Sequence, residues 1–255
     1  MSDFSQAILE QALAPRTVRY FAETGSTNDD AIAWLHEGAL PGAMIIADEQ
    51  GSGRGRLGRP WYAPAGSSLL LSIIVEVPRQ HLTRLTMVGA LAVYDVIRSY
   101  NIDKVQIKWP NDVRIDGRKV CGVLPEAAWT GNLLLGAVLG IGLNVNVPFI
   151  LTAYAETAIS LSDALGEPID RLETLRRLLG RIDHWLSQIA TDDIFETWRA
   201  RLLTLGTRVT VQTSAATYTG IAEDVTPDGG LLLRMDNGKL EYVLAGEILP
   251  PAGMH

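Results

Sequence analysis

A short stretch with the sequence QGSGRGRLGRPW, residues 50–61, combines closely spaced glycines and arginines with a tryptophan. Glycine lets the backbone come close to a ligand, and successive backbone N–H groups can line an anion site. The planar guanidinium groups of Arg54, Arg56 and Arg59 suit phosphate or carboxylate. A solvated loop is the alternative interpretation, but such a loop needs neither the clustered glycines nor Trp61. We therefore predict an anion-binding lid, although the stretch matches neither standard phosphate-loop motif.

A second cluster of charged residues lies in KWPNDVRIDGRKVCGV, residues 108–123. Lys108 ends a strand pattern, and Lys119 begins the return strand after an Asp-Gly turn, so a hairpin would direct both lysines towards one pocket. Turn formation and solvent exposure are the alternative interpretation. That alternative is favoured for Asn111, whereas a function is favoured for Lys119, a cation that leads into an apolar run.

A third candidate segment is GIGLNVN, residues 140–146. Gly140 and Gly142 in an aliphatic strand predict the close approach of a ligand or of another backbone segment. Asn144 would be a polar group that needs a partner there. The only cysteine of the sequence, Cys121, excludes an intramolecular disulfide bond and a cysteine-rich zinc site, and we interpret it as a small core residue.

Helices and strands must position these candidate residues, and hydrophobic periodicity predicts where those elements lie. It predicts helices over residues 4–13, 82–100 and 192–205, a helix capped by Ser26 or Thr27, and a helix capped by Asp170. Apolar and β-branched runs predict strands over 17–23, 43–49, 67–77, 105–109, 112–116, 119–127 and 132–146. Because hairpins dominate and few helices intervene, the pattern favours an α+β fold over a doubly wound sheet.

After Gly206 the pattern of the sequence changes from helical spacing to short strands. Four short strands are predicted, with tight turns at Asp228–Gly229 and Asn237–Gly238. About fifty residues in this pattern are typical of a small SH3-like β-barrel. We therefore expect two domains, residues 1–204 and residues 205–255.

Charge and composition exclude several classes of function. The formal net charge of −7 argues against a general nucleic-acid-binding protein, which presents a broad basic surface. The N-terminal residues lack the basic and apolar parts of a secretory signal, and no run is long enough to span a membrane. We therefore expect a cytoplasmic protein. The histidines, His36, His81, His184 and His255, are too scattered to predict a metal site.

Taken in order, GSTNDDA, QGSGRGRLGRPW, KWPNDV, DGRKVCGVLPE and GIGLNVN resemble the motifs of biotin protein ligases. This resemblance implies a catalytic domain with a central mixed sheet, related in fold to class II aminoacyl-tRNA synthetases, followed by an SH3-like domain. It also implies an enzyme that joins biotin to ATP as biotinyl-5′-AMP. Biotin then passes to one lysine of a biotin carboxyl carrier protein. Magnesium would accompany ATP, held mainly by phosphates and by one carboxylate.

The resemblance assigns roles to individual residues. The residues matched to biotin binding are Ser26, Thr27, Asn28, Gln50, Gly53, Arg54, Gly55, Arg56, Lys119 and Gly122. Those matched to ATP or the adenylate are Arg54, Arg56, Arg59, Trp61, Lys119 and Asn144. Lys119 and Arg56 are expected to be catalytic, and Asp112 is our candidate for orienting or deprotonating the acceptor lysine. The resemblance identifies no individual side chain as a metal ligand.

One departure from the family pattern is Pro125, which stands where an aliphatic residue is usual. Because proline cannot donate to a sheet ladder, Pro125 predicts a strand edge or a bulge and affects any dimer built there. The alternatives are a lipoate–protein ligase, a non-catalytic biotin sensor and a DNA-binding repressor; only 24 residues precede Gly25, too few for an added DNA-binding domain. A homodimer is slightly favoured over a monomer.

Overall fold

The computed structural model describes residues 3–150 and 152–249. The helices of this part are α1 (Gln6–Leu13), α2 (Thr27–His36), α3 (Leu85–Ser99), α4 (Leu161–Leu165), α5 (Arg171–Ser187) and α6 (Asp192–Arg199). The strands are β1 (Val18–Thr24), β2 (Met44–Gln50), β3 (Ser68–Val75), β4 (Val105–Lys108), β5 (Asp112–Ile115), β6 (Arg118–Thr130), β7 (Leu133–Asn144), β8 (Arg208–Gln212), β9 (Thr217–Val225), β10 (Leu231–Met235), β11 (Leu240–Val243) and β12 (Glu247–Ile248).

The first seven strands form one mixed sheet in the order β1-β2-β3-β7-β6-β5-β4. Strands β1 and β2 are parallel, and every other neighbouring pair is antiparallel. Helix α3 packs on one face of the sheet together with α5, while α2 packs on the opposite face. The predicted α+β fold with a central mixed sheet is thus confirmed.

Local capping chemistry explains where two of the helices begin. The Ser26 hydroxyl accepts a hydrogen bond from the Asp29 N–H at 3.4 Å, and the Asp170 carboxylate accepts from two N–H groups of the first turn of α5. Such caps satisfy N–H groups that have no partner inside the helix. Both predicted caps are confirmed. The helix predicted from residue 82 begins instead at Leu85, because Arg79–Arg84 form a 3₁₀ helix.

The C-terminal strands form a five-stranded antiparallel sheet in the order β11-β10-β9-β8-β12. The sequence predicted four strands, and the last of them, residues 239–248, is divided into β11 and β12. A Cβ atom at Gly246 would lie 2.7 Å from a methyl group of Val211, so the chain passes too close to β8 for a larger residue. Residues 250–255 of the predicted second domain lie outside the described residues.

The two sheets meet beside the end of β4. The indole N–H of Trp109 donates to the Gly229 carbonyl at 2.9 Å, and the Lys108 ammonium donates to the Ile248 carbonyl at 3.0 Å. The first bond holds the β9–β10 turn against Trp109, and the second holds β12 next to the β4–β5 hairpin. The C-terminal sheet therefore forms part of the surroundings of Lys108.

Pro125 lies in the part of β6 that pairs with one neighbour. The pairing of β6 with β5 ends at Gly122, whereas its pairing with β7 continues through Pro125, opposite Leu139. The predicted strand edge is confirmed, since among the described strands only β7 adjoins β6 there. Cys121, earlier in the same strand, is fully buried in the core, as predicted.

Within residues 3–150 and 152–249, none of the helices combines the length and the apolar character that crossing a bilayer requires. His255, one of the four histidines discussed above, lies beyond the described residues.

Candidate active site

A cavity of about 420 Å³ opens where the lid, the start of α2, the β4–β5 hairpin, β6, β7 and the start of β12 meet. Every predicted site residue except Gly53 lines it: Ser26, Thr27, Asn28, Gln50, Arg54, Gly55, Arg56, Arg59, Trp61, Asp112, Lys119, Gly122 and Asn144. Residues that are up to 118 positions apart in the sequence, from Ser26 to Asn144, thus share one cavity.

The start of α2 forms one wall. The Thr27 backbone N–H and hydroxyl lie 2.8 and 3.0 Å from the Gln50 side-chain carbonyl, and the Ser72 hydroxyl lies 2.8 Å from that of Thr27. These bonds orient the Gln50 amide so that its oxygen faces α2. A Cβ atom at Gly53 would lie 2.9 Å from Gln50 Nε2, so only a glycine at this position leaves room for the Gln50 amide.

The lid, residues 51–61, folds back on itself. The Gly55 N–H donates to the Arg59 carbonyl at 2.8 Å, and the Trp61 N–H donates to the Gly53 carbonyl at 2.9 Å. At its tip Leu57 has a positive φ of 56°, an uncommon conformation for a residue with a side chain. Arg59 forms an ion pair with Glu247 of β12. The lid is therefore attached to the C-terminal sheet as well as to the mixed sheet.

Trp61 lies against two glycines that face each other in β6 and β7. Gly122 is paired with Gly142, and a Cβ atom at these positions would lie 3.1 and 2.8 Å from the indole ring. The predicted close approach at Gly142 is therefore made by a tryptophan side chain of the protein. At Gly140 the Asn28 side chain makes the close approach.

Lys119 lies at the centre of the cavity wall. Its ammonium group is 2.6 Å from Asp112 Oδ1 and 5.2 Å from the centre of the Trp61 ring. The β4–β5 register places Lys108 opposite Asp112, and both lysines line the cavity, as predicted. The carboxylate and the aromatic face both attract the ammonium group, and together they fix its orientation.

Burial and pairing change the acidity of several charged groups. Hydrogen bonds from Arg54 hold the pKa of Asp29 below its ordinary value, and the Asp29 carboxylate in turn raises the pKa of Arg54. Burial lowers the pKa of Arg56 and of Lys108 because desolvation disfavours the charged form. The cavity thus holds cations that are partly withdrawn from water and are available to an anionic ligand.

Four buried polar atoms of the cavity have no hydrogen-bond partner among the described residues: Trp61 Nε1, Arg114 Nε, Asn144 Oδ1 and Glu247 Oε2. Buried polar groups usually have partners, so clustered exceptions in a cavity indicate ligand contacts. The Asn144 Nδ2 group donates weakly to the Lys119 and Ile159 carbonyls at 3.4 and 3.3 Å. The Asn144 atom left for a ligand is therefore an acceptor.

Sequence reasoning missed several residues of the site. Arg114 lies two residues after Asp112 in β5, so both side chains are on the same face of the strand. This period of two could have identified Arg114 as a site residue. Glu247 comes from a strand more than a hundred residues away, and no local signal relates it to the lid. Among the described residues no cluster of histidine, cysteine, aspartate and glutamate suits a metal ion.

Both parts of the chain match known protein families. A model described as the biotin/lipoate A/B protein ligase family matches residues 20–144, and one for the biotin protein ligase C-terminal domain matches residues 204–249. A biotin--[acetyl-CoA-carboxylase] ligase from Mycobacterium tuberculosis is 36% identical over 92% of this chain and 89% of its own length. The chain belongs to the biotin protein ligase family.

Other biotin protein ligases support this membership. A biotin--[acetyl-CoA-carboxylase] ligase from Paracoccus denitrificans is 33% identical over 89% of this chain and 98% of its own length. The solved structure of a biotin protein ligase from Aquifex aeolicus, in complex with biotin and ATP, is 28% identical and covers 91% of this chain and 97% of its own. Its TM-score of 0.78 shows that the fold is shared as well as the sequence.

Proposed function

We propose that this chain is an ATP-dependent ligase that activates biotin as biotinyl-5′-AMP and transfers biotin to one lysine of a biotin carboxyl carrier protein. The observation that carries the proposal is a cavity, in a member of this family, that is lined both by the lid arginines and Lys119 and by polar atoms with no partner among the described residues. The relatives' names support a carrier domain of acetyl-CoA carboxylase as the acceptor. We propose neither a nucleic acid nor a membrane as a partner.

The first half-reaction brings two anions together. A biotin carboxylate oxygen attacks the α-phosphorus of ATP, and the bond from that phosphorus to the pyrophosphate oxygen breaks. Lys119, Arg54 and Arg56 neutralise the charge that gathers between the reacting groups, an effect that is strongest away from water. We propose that Thr27 and Gln50, which line the cavity together, hydrogen-bond the ureido ring of biotin. We also assign Ser26, Gly53, Gly55 and Gly122 to the biotin end of the site.

The adenine end of ATP has a different environment. Asn144 Oδ1 has no partner among the described residues, and such an acceptor suits the amino group of adenine. Trp61 offers an aromatic face and an indole N–H, and Arg59 supports the lid from Glu247. These features support a nucleotide lying along the lid, with its phosphates towards Lys119.

In the second half-reaction the ε-amine of the acceptor lysine attacks the biotinyl carbonyl carbon, and AMP leaves with the electrons of the acyl–oxygen bond. The amine loses a proton in this step. Asp112 lines the cavity and binds Lys119 through one carboxylate oxygen, so we propose that it orients the acceptor amine and accepts that proton.

The donor set of the cavity fits one magnesium ion brought in with ATP. Glu247 pairs with Arg59 through one oxygen, and its buried Oε2 has no partner among the described residues. This carboxylate would hold the ion together with phosphate oxygens, as magnesium prefers. When bound, the ion supplies positive charge to the phosphates.

We propose the same division of the chain as the sequence predicted, residues 1–204 as a catalytic domain related to class II aminoacyl-tRNA synthetases and 205–255 as an SH3-like domain. The protein would act in the cytoplasm, as a homodimer or a monomer. The C-terminal domain contributes Glu247 and Ile248 to the cavity, so we propose that it takes part in binding ATP.

The test of this function is biotin-dependent exchange of labelled pyrophosphate into ATP, with lipoate and octanoate as control acids. Exchange is expected with biotin and with neither of the control acids. In a second assay, biotin is expected to be transferred to a purified carrier domain. Exchange with lipoate but not biotin would assign the chain to lipoate ligation instead. No exchange with any of the acids would contradict an adenylating enzyme.

Arg114 supplies a further prediction. It lies opposite Lys119 in the β5–β6 register, and its buried Nε has no partner among the described residues. Arg114→Met is expected to raise the KM for ATP about tenfold, since a charge-assisted bond to the leaving pyrophosphate is lost. Steady-state exchange assays measure this KM.

The matched control is Arg118→Met, which removes the same charge four residues along the hairpin, outside the cavity lining. It is expected to leave the KM for ATP within about twofold. Transfer from preformed biotinyl-5′-AMP should be unchanged in both variants, because pyrophosphate has already left. Equal KM values for the two variants would refute a role of Arg114 in binding the triphosphate.

A further inference from the structure

Glu126 ends the segment DGRKVCGVLPE, and none of the roles above involves it. We propose that Glu126 is a positioning residue that orients Arg54 of the lid and connects the lid to the interior of the mixed sheet. This inference rests on the proposed function, because the effect of Glu126 on biotin is exerted through Arg54.

The argument begins with Asn28, which is buried at the start of α2. Its two N–H groups donate to the Leu124 carbonyl, at 3.1 Å, and to the Glu126 carboxylate. Its carbonyl oxygen accepts from the Ser72 hydroxyl at 2.6 Å. A Cβ atom at Gly140 would overlap the Asn28 side chain, so a glycine is required beside it. With both donors already used, Asn28 fixes Glu126, and its predicted contact with biotin stays a prediction.

Glu126 in turn faces the lid. Both of its carboxylate oxygens lie 3.4 Å from one terminal nitrogen of Arg54. Asp29 binds the same guanidinium in a bidentate pair at 2.6 and 2.7 Å. The Asp29 side chain is 57% exposed, and that of Glu126 is 30% exposed. Asp29 therefore holds the guanidinium at the closer distance, while Glu126, which a buried amide anchors, adds a second carboxylate at one nitrogen and so restricts the direction of Arg54.

A continuous chain of contacts therefore runs from Ser72 in β3 through Asn28 and Glu126 to Arg54. Ser72 also contacts Thr27, which holds the Gln50 amide. The wall proposed for the biotin ring and the lid arginine are thus fixed from one buried hydroxyl. Because a misoriented cation loses much of its interaction with a bound anion, removal of the Glu126 charge is expected to weaken the binding of biotin.

The experiment measures biotin affinity by isothermal titration calorimetry in a double-mutant cycle. Glu126→Gln keeps an acceptor for Asn28 but removes the charge facing Arg54, and it is expected to weaken biotin binding about tenfold. In an Arg54→Met background the same change is expected to shift the Kd less than about twofold, because Arg54 is the residue through which Glu126 acts. Glu76→Gln, an equal change of charge at an exposed site, should leave the Kd unchanged.

Equal losses in both backgrounds would show that Glu126 acts independently of Arg54 and would overturn the proposal. An unchanged or tighter Kd in Glu126→Gln would overturn it as well. Glu126→Asp keeps the charge and is expected to recover about half of the loss on a logarithmic scale, which covers the case of a poorly folded Gln variant. If the unmodified protein fails to bind biotin or to exchange pyrophosphate, the proposed function fails instead, so the two failures are distinguishable.

Discussion

Lys119→Ala is expected to lower the rate of biotin-dependent pyrophosphate exchange by about 10²- to 10³-fold, or about 3–4 kcal/mol in the activation barrier. Lys119 is the cation that Asp112 and Trp61 hold in the cavity wall. Its removal takes a positive charge from the place where two anions must meet. It also leaves the Asp112 carboxylate without its lysine, so that a negative charge faces the incoming substrates.

The measurement is the initial rate of exchange at saturating ATP and biotin, with the melting temperature recorded for each variant. Lys104→Ala is the matched control, because that lysine is 75% exposed and its ion pair with Asp116 lies at the far end of β4. It should keep its activity within about twofold. If Lys119→Ala retained a third or more of the exchange rate, the central role of this lysine would be untenable.

Arg171→Met is expected to destabilise the fold by about 3–5 kcal/mol, the usual cost of breaking a buried ion pair. Arg171 begins α5, and its side chain is 1% exposed. Its guanidinium donates to Asp48 at 2.8 Å and to the Ser68 carbonyl at 3.0 Å, and it also pairs with Asp3. Methionine fills similar space but leaves the buried Asp48 carboxylate without its arginine.

Thermal unfolding followed by circular dichroism measures this effect, and a fall in Tm of about 10 °C is expected. Arg177→Met in the same helix is the control, since its pair with Glu173 is exposed and contributes about 1 kcal/mol or less. Adding Asp48→Asn to Arg171→Met should recover part of the loss, because no buried charge then remains. A single Arg171 variant as stable as the Arg177 variant would disprove a structural role for this pair.

Local chemistry explains why much of the fold was predictable. Ser26 and Asp170 are hydrogen-bonding caps that act within three residues, so sequence alone predicts both helix starts. The seven strands of the mixed sheet follow from apolar runs bounded by turns. The division of the last predicted strand could not be foreseen, because its first part pairs with β10 and its second part with β8, and only the folded chain brings these partners together.

The residues of the site were predictable where they belong to a recognisable motif. They were less predictable where tertiary packing determines which side chains meet. Arg54, Lys119 and Asn144 were predicted and do line one cavity. Glu126 was quoted within a motif, but its meaning depends on the buried amide of Asn28, 98 residues away. Glu247 enters only through the docking of the second sheet. Contacts of this kind arise from tertiary structure and leave no periodic signal in the sequence.

The burial of Cys121 has a consequence for chemical selectivity. The proposed reaction makes an acylating agent in a cavity whose key lysine lies two positions from a thiol in the same strand. A thiolate would be acylated readily, but burial raises the pKa of Cys121, and a protonated thiol is a poor nucleophile. The strand that presents Lys119 to the substrates thus keeps the Cys121 thiol buried and protonated. The enzyme is therefore protected from acylating itself at Cys121.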